Sequence, residues 1–144
     1  MPPPAISLTY NDTEIRAKFQ QLQAKLGDLT PAMRQIGEAM LLSTDERFAN
    51  EVDPSGTRWQ ANSPRTINQK RAQGRILKTL QSTGRLRASI AYQATKDRVV
   101  VGSNVSYAAK HQLGRGVPQR EFLGVSQSDR QEIVGILTTF LLTD

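Results

Sequence analysis

Apolar residues recur at Ile15, Phe19, Leu22, Leu26 and Leu29, in steps of four, three, four and three. That spacing lays one stripe along one face of a helix. Gly27 and Asp28 interrupt it, and Thr30-Pro31 offers a restart, with Thr as N-cap and Pro in the first helical position. Met33, Ile36, Met40 and Phe48 continue the stripe. The pattern predicts helices over about 12–27 and 31–48, or one long kinked helix. A polar, basic stretch from Pro64 to Gln73 reads as a short helix ending at Gly74. Leu86, Ala88, Ile90 and Tyr92 then alternate with Arg87, Ser89, Ala91 and Gln93, the period of a strand. Lys96-Asp97 turns the chain and Val99-Val100-Val101 returns it, giving a hairpin near 86–102. Tyr107, Ala108 and His111 suggest a short helix stopped at Gly114, and Glu121–Val125 a short third strand. Ser126 and Asp129 suit the start of a last amphipathic helix, about 127–142, carrying Ile133, Ile136 or Leu137, Phe140 and Leu141. Helices, a long loop, a hairpin and a final helix define an α+β class with a small, mainly antiparallel sheet. Residues 1–144 are expected to form a single domain.

Two stretches break the periodicities. Residues 1–11 begin Met1-Pro2-Pro3-Pro4 and read as an extended arm outside the core. Within it Ile6, Leu8 and Tyr10 alternate, which suits an edge strand added to a neighbouring subunit's sheet. The second stretch, Asn50 to Ser63, holds the turn Asp53-Pro54-Ser55-Gly56 and then Trp59. A large aromatic in so polar a loop is expected to be a buried anchor. Gly56 and Gly84 stand where turns favour a positive φ.

Composition excludes more than it assigns. With 38% hydrophobic and 22% charged residues, the chain reads as globular. Its mean hydropathy is −0.46, and no run approaches the roughly 18 apolar residues of a membrane helix. The start lacks a signal peptide's basic and apolar regions, and no membrane partner is expected. Cysteine is absent, which removes disulfides and thiolate metal sites. That fits folding in a cytoplasm, and also a cysteine-free secreted bacterial protein. Charge is uneven: up to Asn50 there are five Lys/Arg and six Asp/Glu, but from Arg58 to Arg120 thirteen Lys/Arg and one acid, Asp97. So one-sided a segment suits a negative partner, or merely a solvated basic face.

Catalytic constellations are scarce. The single histidine, His111, cannot anchor a histidine-rich metal site. A triad drawn from Ser103 or Ser106, Asp97 and His111 has no support in its spacing. A partly buried histidine bonded to a loop carbonyl is the simpler expectation. Gly114-Arg115-Gly116 lacks the third glycine and preceding strand of a dinucleotide loop. Trp59, Tyr92 and Tyr107 are too few for a base-stacking platform, since two of them look committed to the core. No enzyme activity, cofactor or metal is expected.

An ordered string of small motifs is more specific. Asp53-Pro54-Ser55-Gly56-Thr57-Arg58-Trp59 is followed by Thr66 and Lys70, then by Leu80 and Ser82-Thr83-Gly84-Arg85-Leu86-Arg87-Ala88-Ser89-Ile90. Next come Val99-Val100-Val101-Gly102-Ser103, Tyr107-Ala108-Ala109-Lys110-His111-Gln112-Leu113-Gly114 and Pro118-Gln119-Arg120-Glu121-Phe122-Leu123-Gly124. This series, over roughly residues 45–143, resembles the phage virion morphogenesis family, the tail completion proteins of Mu-like and P2-like contractile-tailed phages.

The resemblance implies a structural protein of the virion neck or tail end, assembled in the host cytoplasm. It implies a ring homo-oligomer, expected to be a hexamer, that joins tail to head beside other neck, tube or sheath proteins. Genomic DNA in the lumen would then be a non-specific contact. On this reading Gly56, Trp59, Gly84, Leu86, Tyr107, His111 and Phe122 are structural anchors. Ile6, Leu8, Tyr10, Arg115 and Arg120 are assembly contacts, with Arg120 on an exposed loop edge. The competing reading is a sequence-independent DNA-binding protein using the basic segment 58–120.

Overall fold

The computed structural model describes residues 6, 7 and 10–143. Strand β1 (Ile6–Ser7) precedes helices α1 (Thr13–Leu26), α2 (Thr30–Asn50), α3 (Pro64–Ala72) and α4 (Arg85–Ala88). Strands β2 (Ala91–Ala94) and β3 (Val99–Ser103) follow, then helices α5 (Ala108–Leu113) and α6 (Gln127–Leu142). The sheet is antiparallel in the order β1-β3-β2. The architecture is α+β, as the periodicities predict.

Local chemistry sets the helix ends. The Asp12 carboxylate caps α1 by accepting from Ile15 N at 3.0 Å. It also receives Arg130 of α6 at 2.8 Å, which ties the first helix to the last. Gly27, at φ 74°, ends α1. Thr30 is the first residue of α2 rather than its N-cap, which is Leu29. Asp28 does the capping, accepting from both Thr30 N (2.9 Å) and Thr30 Oγ1 (2.6 Å). At α6, Ser126 Oγ accepts from Asp129 N while the Asp129 carboxylate accepts from Ser126 N, a complete capping box.

Two apolar cores result, and α2 contributes to both. In the first, Leu22 and Leu29 meet Met33, Ile36 and Met40 of α2 and Ile133, Ile136 and Leu137 of α6, over Val99 and Val101 of β3. In the second, Phe48 from the end of α2 packs with Trp59, Leu86, Val105, Ala108, Phe122 and Leu123. Gly37 lets α2 approach the sheet: a Cβ there would stand 2.6 Å from Tyr92 Cγ. Tyr92 cannot swing aside without breaking its 2.8 Å hydrogen bond to Glu38 Oε1. Gly37→Ala is therefore expected to cost about 1–3 kcal/mol of overpacking, read as a lower midpoint in urea.

Besides the cap of α2, the fold differs from the sequence reading in four places. Residues 86–90 are not a strand. Leu86 lies in the short helix α4, and only from Ala91 does the hairpin begin. Leu86 and Ile90 are four apart, so alternation and a helical turn both put them on one side, and both pack into the second core. Residues 121–125 form no strand either. The Gln112 side chain takes the place of a neighbouring strand, accepting from Phe122 N and Leu123 N at 3.0 Å each and donating to Leu123 O at 2.9 Å. Leu26, although on the first stripe, is 46% exposed, while Leu22 and Leu29 on either side of it are buried. Finally, Ile6 and Ser7 pair with Ser103 and Gly102 of their own β3, so this part of the arm extends its own sheet rather than a neighbour's. Leu8 and the side chain of Ile6 fall outside the described residues.

Candidate functional site

The turn after α2 is held by Asp53, whose Oδ1 accepts from Ser55 N (2.9 Å), Ser55 Oγ (2.7 Å) and Thr57 N (2.9 Å). Gly56 completes it at φ 88°. The chain then returns, with Trp59 N donating to Glu51 O at 2.8 Å. Trp59 is buried, its ring edge-on to Phe48 at 5.5 Å, and its Nε1 donates to Glu121 O at 2.8 Å. Behind this anchor, Ser63 caps α3 by accepting from Thr66 N. The segment after α3 folds back through three hydrogen bonds: Thr79 N to Glu51 Oε1 (2.7 Å), Gln81 Nε2 to Phe48 O (2.8 Å) and Lys78 Nζ to Ala49 O (2.7 Å). Within it Leu80 adopts φ 64°, a strained conformation for a leucine. Gly84, at φ 76°, opens α4.

These elements enclose a cleft of about 720 Å³. Its walls carry Lys70, Arg75, Arg85, Tyr107, His111 and Arg120, and no carboxylate lines it. Lys70 is buried and donates to Lys78 O at 2.9 Å. Arg120 is also buried, its Nε donating to Gln60 O at 2.9 Å and its backbone N to His111 O at 2.8 Å. The exposed loop edge expected for Arg120 is therefore incorrect. Its side chain fixes the turn behind Trp59 and faces the cleft. Burial lowers the pKa values of Lys70 and Arg120, and Arg120 depresses Lys70 further, while Glu51 opposes the shift in both. Arg85 lies 6.0 Å from the centroid of the Tyr107 ring, which meets His111 edge-on at 6.3 Å.

His111 is half-buried, but the expected bond to a loop carbonyl is missing: Nδ1 is buried and unpartnered. Burial, then Lys110 and Arg120, push its pKa below 6.5. The fold favours the neutral ring, so between the folded value and about 6.5 the unfolded chain binds more protons. That stability is complete above about pH 6.5 and is lost as pH falls through the folded value. Thermal melts between pH 7.5 and 5 are expected to show a shallower decline for His111→Gln than for the parent. Equal slopes would assign the decline to other groups.

Five of the expected anchors share one region, whereas Gly56 lines a groove between α2 and α6. Leu86, Tyr107 and His111 line the cleft, and Trp59 and Phe122 pack beneath it. Arg115 is exposed. Tyr10, 42% exposed, lies at the far core, where its hydroxyl meets Asp12 Oδ2 at 3.4 Å. Ser103, Asp97 and His111 do not meet: Ser103 Oγ bonds Ser89 Oγ and Val105 N, and Asp97 pairs with Arg98. Sequence reasoning did not single out Gln112 or the buried Arg47–Asp129 pair. Gln112 stands within the Tyr107–Gly114 run, and Asp129 reads from sequence as part of the start of the last helix. Among the described residues, no group of three or more His, Asp or Glu is placed to hold a metal ion, and no helix is long and apolar enough to cross a membrane.

The cleft thus gathers four cations and no carboxylate, a local excess of positive charge. The chain belongs to the phage virion morphogenesis family, whose model matches residues 10–141. The match takes in α1 and α2, ahead of the motifs that carried the resemblance. The chain is similar to the putative capsid assembly protein G of Escherichia phage Mu, with 27% identity over 139 residues, 85% of this chain and 89% of that one. No solved structure matches it.

Proposed function

We propose that the chain is a structural protein of the phage neck or tail end, forming an oligomeric ring that joins tail to head. The family match over residues 10–141 carries this reading. Its neighbours would be further copies of itself and other neck, tube or sheath proteins. DNA contact is secondary, because tight phosphate binding would stall passage through a conduit. The test is an electron image of the particle with this protein tagged, beside particles made without it. Label at the neck, and separate heads and tails in its absence, are expected. The name of the Mu relative favours a second reading, a factor acting in capsid assembly. That reading expects defective heads and no label in finished particles, an outcome that would overturn the neck assignment.

A further inference from the structure

The chain carries a second charged hollow, opposite in sign to the cleft. A groove of about 510 Å³ runs between α2 and the start of α6, lined by Leu42, Glu46, Asp53, Asp129 and Glu132 among others. It shares no lining residue with the basic cleft. Two of its acids are already occupied, Asp129 by Arg47 and Asp53 by its own turn. Glu46 and Glu132 are exposed, and among the described residues neither pairs with a cation. Leu42 sits beside them at 62% exposure.

The cleft shows the reverse deficit. Of the thirteen cations from Arg58 to Arg120, only Arg87 and Arg98 have a carboxylate partner among the described residues. Arg75 and Arg85, both exposed, stand at the cleft with no acid facing them. Ile76 and Leu77, 46% and 43% exposed, follow Arg75 along the chain. Glu38 and Asp45 are not available to answer this charge. Tyr92 holds the first, and Arg87 the second at 2.6 Å.

The geometry points to a head-to-tail contact between two copies of this chain, in which the rim of the cleft on one faces the rim of the α2–α6 groove on the next. Arg75 and Arg85 would face Glu46 and Glu132, with Leu42 against the apolar residues after Arg75. Two different patches on one chain make a heterologous contact, the kind that closes a ring or runs on as a filament. The inference rests on the ring reading above and assigns its interface. Exposed pairs contribute little each, whereas like charges brought face to face are strongly unfavourable, so the contact is best tested by reversal.

Association of the purified chain is followed by sedimentation at low and high salt. Arg75→Glu with Arg85→Glu, or Glu46→Lys with Glu132→Lys, is expected to weaken association about tenfold or more. A chain carrying all four changes is expected to regain it. Because the chain has no cysteine, Arg75→Cys with Glu46→Cys, treated with a short bis-maleimide, should give a ladder of oligomers. Either cysteine alone should give none. All substituted positions are exposed, and circular dichroism confirms folding. If both reversed pairs associate like the parent, this contact is wrong and the ring reading stands on other surfaces. A parent monomeric at every concentration and salt overturns the contact and leaves the ring reading to the particle image. Loss of duplex DNA binding with unchanged association also overturns it and assigns the cleft to phosphate.

Discussion

Arg47→Met is expected to destabilise the chain by about 3–5 kcal/mol, because it leaves the Asp129 carboxylate buried without its cation. Arg47 and Asp129 are 4% and 7% exposed, so water can make up for the lost partner only in part. The guanidinium also donates to Phe122 O at 3.0 Å and Ser43 Oγ at 3.1 Å. One side chain thus ties α2 to the α6 capping box and to the 122–123 segment. Desolvation by burial lowers the Arg47 pKa, and the charge and hydrogen bond of Asp129 oppose the shift. The double variant Arg47→Met with Asp129→Leu is therefore expected to recover much of the single loss. Urea denaturation of both singles and the double checks this. A double loss equal to the sum of the singles would show that the two groups act independently.

Trp59→Ala is expected to cost a similar amount, about 3–5 kcal/mol, through the cavity left among Phe48, Phe122 and Leu86. Trp59→Phe keeps most of the packing but leaves Glu121 O without its 2.8 Å donor. Its expected loss is about 1–3 kcal/mol. Trp59 is the sole tryptophan, so far-ultraviolet circular dichroism must replace fluorescence as the readout. An alanine variant as stable as the parent would mean that the 50–63 loop is only loosely docked.

The helical stripes were legible because period and burial agree over several turns. Met33, Ile36, Met40 and Phe48 are all buried on α2, and Ile133, Ile136 and Leu137 on α6. Trp59 and Phe122 could be read as anchors because large aromatics in polar surroundings have few alternatives to burial. What stayed hidden depends on partners distant in sequence. Residues 121–125 look like a strand because their backbone is indeed satisfied laterally, but by the Gln112 amide, which no periodicity reveals. Arg120 reads as a surface cation until the carbonyl of Gln60, sixty positions earlier, is brought to it. The charge imbalance was plain in the sequence. Its division into a cleft and an acidic groove was not, because Glu46, Glu132 and Arg85 belong to three separate helices and Arg75 to the loop after α3.

The sharing of α2 between the two cores has a mechanical consequence. At about 1.5 Å per residue its 21 residues make a strut of roughly 31 Å. Its first half is clamped by α6, and its last turns by Phe48 and by Arg47. A load applied near the basic cleft reaches the opposite core along a hydrogen-bonded rod rather than through loops. The turns at Gly56 and Gly84 lie outside that rod, so they can yield without shortening it.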